Sequence, residues 1–194
     1  MRKLAVMIYE NFSMFEFGVA LEMLTMVEGY SIDVFGEEKQ TYRSEEGLLA
    51  FAEHALVDMD VSQYEGLIFT GFLGEAPAIY HNELLFEKIR EFHREKKLLA
   101  AISIGPIFLI KAGVLSGLTY MCGCIKDDLK EEGFTDQQLE GMTDWTAANE
   151  QYSLKFIRHG HIVTSVIYGF REWAMQIGDI LGIETYPKSF GLVD

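Results

Sequence analysis

The sequence predicts an α/β protein of three layers, in which helices cover both faces of a mainly parallel sheet. Short apolar runs, typical of buried strands, alternate with amphipathic helical stretches from residue 3 to residue 113. Strands separated by helices pair in parallel, because each crossover returns the chain in the same direction. No linker, repeat or low-complexity tract interrupts the 194 residues, so residues 1–194 are predicted to form one domain with a sizeable core.

The composition limits the classes of partner. Hydrophobic residues make up 49% and charged residues 24% of the chain, as is usual for soluble globular proteins. A formal charge of -14 argues against nucleic acid and anionic membranes, which both select clustered Lys and Arg. The apolar run Leu4–Tyr9 is too short for a signal peptide, and no run reaches transmembrane length. The two cysteines, Cys122 and Cys124, imply no disulfide framework, so we expect a cytoplasmic protein.

The first elements follow from periodicity and turn residues. Lys3–Tyr9 is predicted as a strand, and Ser13 as the cap of a helix that runs to about Val27. Tyr30–Phe35 alternates as a second strand does, and Thr41–Val57 is expected to hold one or two short strands. Each of these segments is bounded by glycine or polar residues, as separate elements require.

A second strand–helix unit follows. Gly66–Gly71 is a short apolar run and predicts a buried strand. Asn82 is expected to cap an amphipathic helix with Leu85, Ile89 and Phe92 on its inner face. The elements predicted after residue 115 are a strand at Thr119–Gly123, a charged helix face at Lys126–Glu132, strands at Tyr152–Ile157 and His161–Ser165 joined by a turn at residues 158–160, and a final helix at about Phe170–Leu181.

The stretch Leu98–Gly113 is the most informative part of the chain. Five apolar residues run into Ser103, with Ala101 two positions before it, Gly105 two positions after it, and Pro106 opening a helix. This spacing is typical of a nucleophile elbow, a sharp strand-to-helix turn that needs small neighbours. We therefore expect Ser103 at the carboxyl end of the sheet in a strained backbone conformation.

These residues resemble the ThiJ/PfpI superfamily, whose pattern is Ala-Ile-Cys-His-Gly-Pro followed by Ala-Gly-Leu-Leu-x-Gly. Here residues 101–106 are Ala-Ile-Ser-Ile-Gly-Pro, and residues 112–117 are Ala-Gly-Val-Leu-Ser-Gly. Ser103 stands at the family's nucleophilic cysteine, and Ile104 at the histidine that often follows it. Either the protein uses a serine, or the site has lost the family's usual chemistry.

The resemblance covers nearly the whole chain and implies a flavodoxin-like fold of the class I glutamine amidotransferase type. Members of the family usually pair, so it also implies a homodimer. The start of the first helix carries more large apolar side chains than one buried helix face can cover, and this favours the same expectation. They are Phe12, Met14, Phe15 and Phe17.

Glu16 is the second predicted site residue. The resemblance places an acidic residue early in the first helix, directed at the elbow, and Glu16 matches it. A carboxylate at the carboxyl end of the first strand orients the hydroxyl, or acts as its base if burial raises the pKa. The alternative is a glutamate favoured only by the helix dipole.

Gly71 is the third. The family has a Gly-Gly turn here that supplies an amide to the oxyanion site, whereas this chain has Gly71 followed by Phe72. An amide of residue 71 or 72, together with that of Ile104, is expected to form a two-donor oxyanion hole. The alternative is a glycine that only the turn requires. Phe72 is expected to narrow the pocket.

No cofactor or metal is predicted. His159 and His161 have the i, i+2 spacing of possible ligands, but two ligands do not make a site, and we interpret them as a solvated turn. No histidine is placed beside Ser103 as a base.

Two functions therefore stay open. The first is a weak hydrolase, amidase or hydratase that acts on a small carbonyl compound through Ser103 and Glu16. The second is a non-catalytic family member that binds a small molecule or a protein partner through the same pocket. A stress or chaperone-like role is a further alternative that the sequence does not address.

Overall fold

A computed structural model describes residues 1–192, so the last two residues of the predicted domain lie outside the described residues. Its main sheet has seven strands, in the order β10-β11-β7-β6-β1-β2-β5. The strands are β1 Arg2–Met7, β2 Tyr30–Gly36, β3 Thr41–Arg43, β4 Leu49–Phe51, β5 His54–Ala55, β6 Gly66–Phe69, β7 Leu98–Ile102, β8 Tyr120–Met121, β9 Met142–Thr143, β10 Phe156–His159 and β11 Ile162–Ser165. The helices are α1 Met14–Thr25, α2 Glu83–Arg94, α3 Pro106–Lys111, α4 Lys126–Glu131, α5 Trp145–Glu150 and α6 Phe170–Leu181.

The sheet is parallel except for β10, which pairs antiparallel with β11. The chain steps from β1 to β2 in one direction and from β6 to β7 in the other, so right-handed crossovers place α1 and α2 on opposite faces. Accordingly α1 packs against α6, and α2 packs against α3. The predicted three-layer α/β arrangement with a mainly parallel sheet is confirmed.

The apolar periodicity of the helices correctly predicts their buried faces. Leu85, Ile89 and Phe92 of α2 are all fully buried, and the Asn82 side chain caps this helix by accepting from the Leu84 amide. The helix α6 begins and ends where the periodicity predicts. Within residues 1–192, no helix is long and apolar enough to cross a membrane.

The structure differs from the prediction between residues 119 and 165. Residues 145–150 form the helix α5, whose N-terminus is capped by Asp144, where no element was predicted. The strand predicted at Tyr152–Ile157 lies instead at Phe156–His159, and the turn moves to Gly160, which has a φ of 58°. The strand predicted at Thr119–Gly123 shrinks to β8, because it pairs with β9 only over two residues.

A small antiparallel hairpin, β3–β4, lies outside the main sheet. Its connecting loop, residues 44–48, docks on the segment between β1 and α1: the Phe12 carbonyl accepts from the Glu45 amide at 2.9 Å. The hairpin therefore reaches the end of the sheet at which the parallel strands finish.

Candidate functional site

Ser103 lies between β7 and α3 with a φ of 60°, in the left-handed region that residues other than glycine rarely adopt. Its amide donates to the carbonyl of Ser165 at 2.9 Å, and its carbonyl accepts from the amide of Gly123 at 2.6 Å. The backbone of the elbow is thus held from both sides. The predicted strain at Ser103 is confirmed.

Two glycines make this turn possible. A Cβ atom at Gly105 would lie 2.7 Å from the carbonyl oxygen of Thr70, so the position two after Ser103 has no room for a side chain. A Cβ atom at Gly123 would lie 2.8 Å from the carbonyl carbon of Ser103. The backbones of three segments therefore meet at contact distance around the elbow.

Glu16 and Gly71 lie together beside Ser103. The Glu16 carboxyl group, in the first turn of α1, is 3% exposed and accepts from the Gly71 amide at 2.6 Å. A Cβ atom at Gly71 would lie 2.8 Å from Ser103 Oγ and 3.0 Å from Glu16 Oε2. The structure thus brings together three residues that are far apart in the sequence.

The environment of Glu16 favours its protonated form. Burial raises the pKa of the carboxyl group from its ordinary value to about 7, and the negative charges of Glu45 and Glu46 act in the same direction. The Gly71 amide, which donates to Glu16, and the nearby Ser103 hydroxyl partly offset the rise in pKa. A carboxyl group of this pKa can both accept and donate a proton near neutral pH.

The first turn of α1 is capped by Glu46 rather than by Ser13. The Ser13 side chain makes no capping hydrogen bond, which corrects the prediction from the sequence. Instead the Glu46 carboxylate, from the β3–β4 loop, accepts from the amides of Phe15 at 2.8 Å and Met14 at 3.2 Å. A distant loop supplies the cap because its carboxylate reaches two free amides, where a serine reaches one.

The amides predicted to form an oxyanion hole differ in whether they already donate a hydrogen bond. That of Gly71 donates to Glu16, so it is not free for a substrate, and this part of the expectation is corrected. Within residues 1–192, the amides of Phe72 and Ile104 donate to no protein acceptor. They are the two donors that remain for a developing negative charge.

The Phe72 side chain is directed into the core and not across the site. It is 8% exposed, and its ring packs on those of Tyr9 and Phe108, with centroids 5.9 Å and 6.3 Å away. The expected narrowing of the pocket by Phe72 is therefore wrong, because its side chain packs in the core.

The histidines of the described chain do not join this site. His93 Nδ1 and His161 Nε2 lie 3.1 Å apart, and His159 contacts the Thr119 hydroxyl at 2.9 Å. Both residues lie at the turn between β10 and β11, as predicted, with His159 exposed and His161 partly buried, and each ring also has a hydrogen-bond partner. In residues 1–192, no group of three His, Cys, Asp or Glu side chains is placed to hold a metal ion.

Two residues near the site were not predicted from the sequence. Gly123 contacts the backbone of Ser103, and Glu46 caps the helix that carries Glu16. Gly123 lies between the two cysteines after a short strand, and a glycine at a strand end signals a close backbone approach. Glu46 is 31 residues from Phe15, and no local pattern indicates that pairing.

A family model described as the DJ-1/PfpI family matches residues 2–177. An uncharacterized protein of Methanocaldococcus jannaschii is 22% identical over 111 residues, which are 57% of this chain and 49% of that protein. The match therefore spans about half the length of that relative.

Two solved structures illustrate the likeness of the fold. A DJ-1 superfamily protein of Agrobacterium tumefaciens has a TM-score of 0.75 at 14% identity, covering 98% of this chain and 95% of its own. DJ-1beta of Drosophila melanogaster has a TM-score of 0.68 at 17% identity, covering 95% of this chain and 99% of its own. The flavodoxin-like fold and the resemblance inferred from the elbow motif are both confirmed. The chain belongs to the DJ-1/PfpI family.

Proposed function

We propose that the protein is a slow hydrolase or amidase, or a hydratase, that acts on a small carbonyl compound at Ser103. The observation that supports this most is the placement of the Glu16 carboxyl group, with a pKa of about 7, beside a serine on a strained elbow. An ionisable group matched to the working pH is what a general base requires.

The proposed chemistry uses three groups. In the ionised form Glu16 takes the proton of the Ser103 hydroxyl as its oxygen attacks the carbonyl carbon of the substrate. The free amides of Phe72 and Ile104 stabilise the charge that develops on the carbonyl oxygen. The protonated Glu16 then gives its proton to the leaving group, and water completes the hydrolysis of the acyl-serine.

The test exploits the greater acidity of a thiol. In Ser103→Cys, a thiol-directed probe is expected to label the introduced thiol faster than Cys122 or Cys124, with rates read by peptide mapping. Adding Glu16→Leu should slow that labelling by roughly tenfold, because the proton acceptor is lost. Wild type should hydrolyse activated esters slowly, and Ser103→Ala should not. Equal labelling of all three thiols, or no effect of Glu16→Leu, would count against the chemistry.

A second candidate function is the binding of a small molecule without turnover. It is favoured by one observation: within residues 1–192, no histidine hydrogen-bonds to Ser103 or Glu16. A serine without a strong base is a weak nucleophile. Ligand-induced protection of the introduced thiol, together with no ester hydrolysis by wild type, would favour this function.

We propose the reducing cytoplasm as the setting of either function. Both cysteines are free thiols, and the thiol of Cys122 is fully buried. Free thiols separated by one residue are typical of proteins that are kept reduced.

We also propose a homodimer that pairs along α1 and the β3–β4 hairpin. Phe12 and Phe17 are buried within the chain, but Phe15 is 52% exposed and Leu48 57% exposed. These two side chains border an apolar groove of about 440 Å³ that also contacts Phe170. A second copy of the same face would cover the groove isologously.

Replacing Leu48 with Ser is expected to shift the protein from dimer to monomer, because the substitution removes an exposed apolar side chain at the centre of that face. Light scattering at micromolar concentration measures the change. Val57→Ser, at an exposed apolar position away from the groove, is the control. A monomeric wild type would contradict the pairing.

A further inference from the structure

The N-terminus of α1 already holds an anion that belongs to the chain. Glu46 accepts from the Phe15 and Met14 amides, and its carboxylate lies 3.5 Å from the Ser13 hydroxyl. Partial burial favours protonation, but the hydrogen bonds outweigh it and hold the pKa of Glu46 below its usual value. Glu46 is therefore ionised at neutral pH.

This position is important for ligand binding. In open α/β sheets, ligands collect at the carboxyl ends of the strands, and their anionic groups bind the free amides at helix N-termini there. In this chain the two amides that Glu46 accepts from are followed directly by Glu16, the partner of Gly71 at the site. An anionic substrate would find the amides of Met14 and Phe15 already bonded to Glu46, and the Glu46 carboxylate would repel it.

The negative charges of the β3–β4 loop act electrostatically on Glu16, a residue of the site. Glu45 and Glu46 are the charged neighbours that raise the pKa of Glu16. Arg43, the cation of the same hairpin, donates to the Gly47 carbonyl at 2.9 Å and does not pair with either glutamate. The loop thus presents net negative charge to Glu16.

We propose that Glu46 makes the Ser103 site selective for uncharged carbonyl compounds, by filling the anion position at the N-terminus of α1. This inference rests on the proposed function for the location of the site, and it adds the charge class of the substrate. Glu46 acts here as a specificity-determining residue that contacts the helix and not the reacting atoms.

Two alkylating reagents of similar size but different charge provide the test. Iodoacetamide is neutral and iodoacetate is anionic, so their rate ratio at the introduced thiol of Ser103→Cys reports charge selection. The ratio is normalised to that of a small free thiol and read by peptide mapping, which separates Cys122 and Cys124. We expect Ser103→Cys to favour iodoacetamide by roughly three- to tenfold beyond the free thiol, and less at high salt.

At about pH 6, where Glu16 is mostly protonated and adds little charge of its own, adding Glu46→Gln should abolish most of that preference while keeping an acceptor for the helix amides. Glu140→Gln, which removes the same charge at an exposed position, is the matched control and should leave the ratio unchanged. Circular dichroism of each variant verifies the fold. A ratio that Glu46→Gln does not change, a ratio equal to that of the free thiol, or no labelling by either reagent would overturn the inference. The Glu16→Leu experiment reads the rate of labelling and not the ratio of the two reagents, so a failure of the proposed base and a failure of this inference are distinguished.

Discussion

Replacing Gly71 with Ala is expected to disable the site and destabilise the protein. The added Cβ would lie 2.8 Å from Ser103 Oγ and 3.0 Å from both Ser103 Cβ and Glu16 Oε2, so all three side-chain atoms must move. Overpacking of this kind costs about 1–3 kcal/mol. In the Ser103→Cys background, labelling of the introduced thiol should fall by at least about tenfold, because displacing the base lowers its contribution.

Gly18→Ala is the matched control for this substitution. Gly18 is exposed in the single chain, and a Cβ atom there would meet no atom within 4 Å. Because Gly18 also lines the groove proposed for dimerisation, the two variants are compared at equal protein concentration. Alanine in an open helical position should stabilise the protein by about 0.5–1 kcal/mol and leave labelling unchanged. If Gly71→Ala behaved like Gly18→Ala in urea unfolding and in labelling, the close packing of Gly71 against Ser103 and Glu16 would be wrong.

Replacing Glu16 with Gln is expected to change how stability depends on pH. The pKa of Glu16 is raised on folding from its ordinary value to about 7, so the folded state holds the proton more tightly than the unfolded state. The stability that this contributes is fully present below the unfolded pKa, near 4.5, and is lost as the pH rises through about 7. Over that window the loss amounts to about 3 kcal/mol, because each pKa unit corresponds to about 1.4 kcal/mol.

Glutamine cannot ionise, so the Glu16→Gln variant should not lose this stability as the pH rises. The free energy of unfolding of the variant, relative to wild type, is expected to increase from about pH 4.5 to about pH 7 and to level off above that, as measured by urea titrations at each pH. Glu22→Gln, at an exposed position of the same helix, is the control. A Glu16→Gln difference that is constant would mean that burial does not raise the pKa of Glu16.

The fold was predictable where local patterns dominate. The period of Leu85, Ile89 and Phe92 predicts the buried face of α2, and the small residues around Ser103 predict the elbow, because helix periodicity and steric limits act within a few residues. Between β8 and β11 the helix α4 was predicted, but β9, α5 and the bounds of β8 and β10 were not. There two-residue strands and the six-residue α5 depend on tertiary pairing that no hydrophobic run encodes.

The residues of the candidate site were likewise predicted where a local motif or the family pattern marks them, and not where the contact joins distant loops. Ser103 was predicted from the small residues around it at the end of a buried strand, and Glu16 and Gly71 from the resemblance to the family. The cap by Glu46 and the contact of Gly123 with Ser103 were not found, because each joins loops that meet only in the folded protein. The catalytic roles of Ser103 and Glu16 stay predictions.

The way in which the Ser103 backbone is held has an evolutionary consequence. The hydrogen bonds to Ser165 and Gly123 use only main-chain atoms of residue 103, so the shape of the turn does not depend on which side chain it carries. A lineage can therefore replace a sulfur nucleophile with an oxygen nucleophile, or the reverse, without rebuilding the sheet or the loops around it. In such a scaffold the reaction can be gained, weakened or lost through one substitution, whereas the architecture persists.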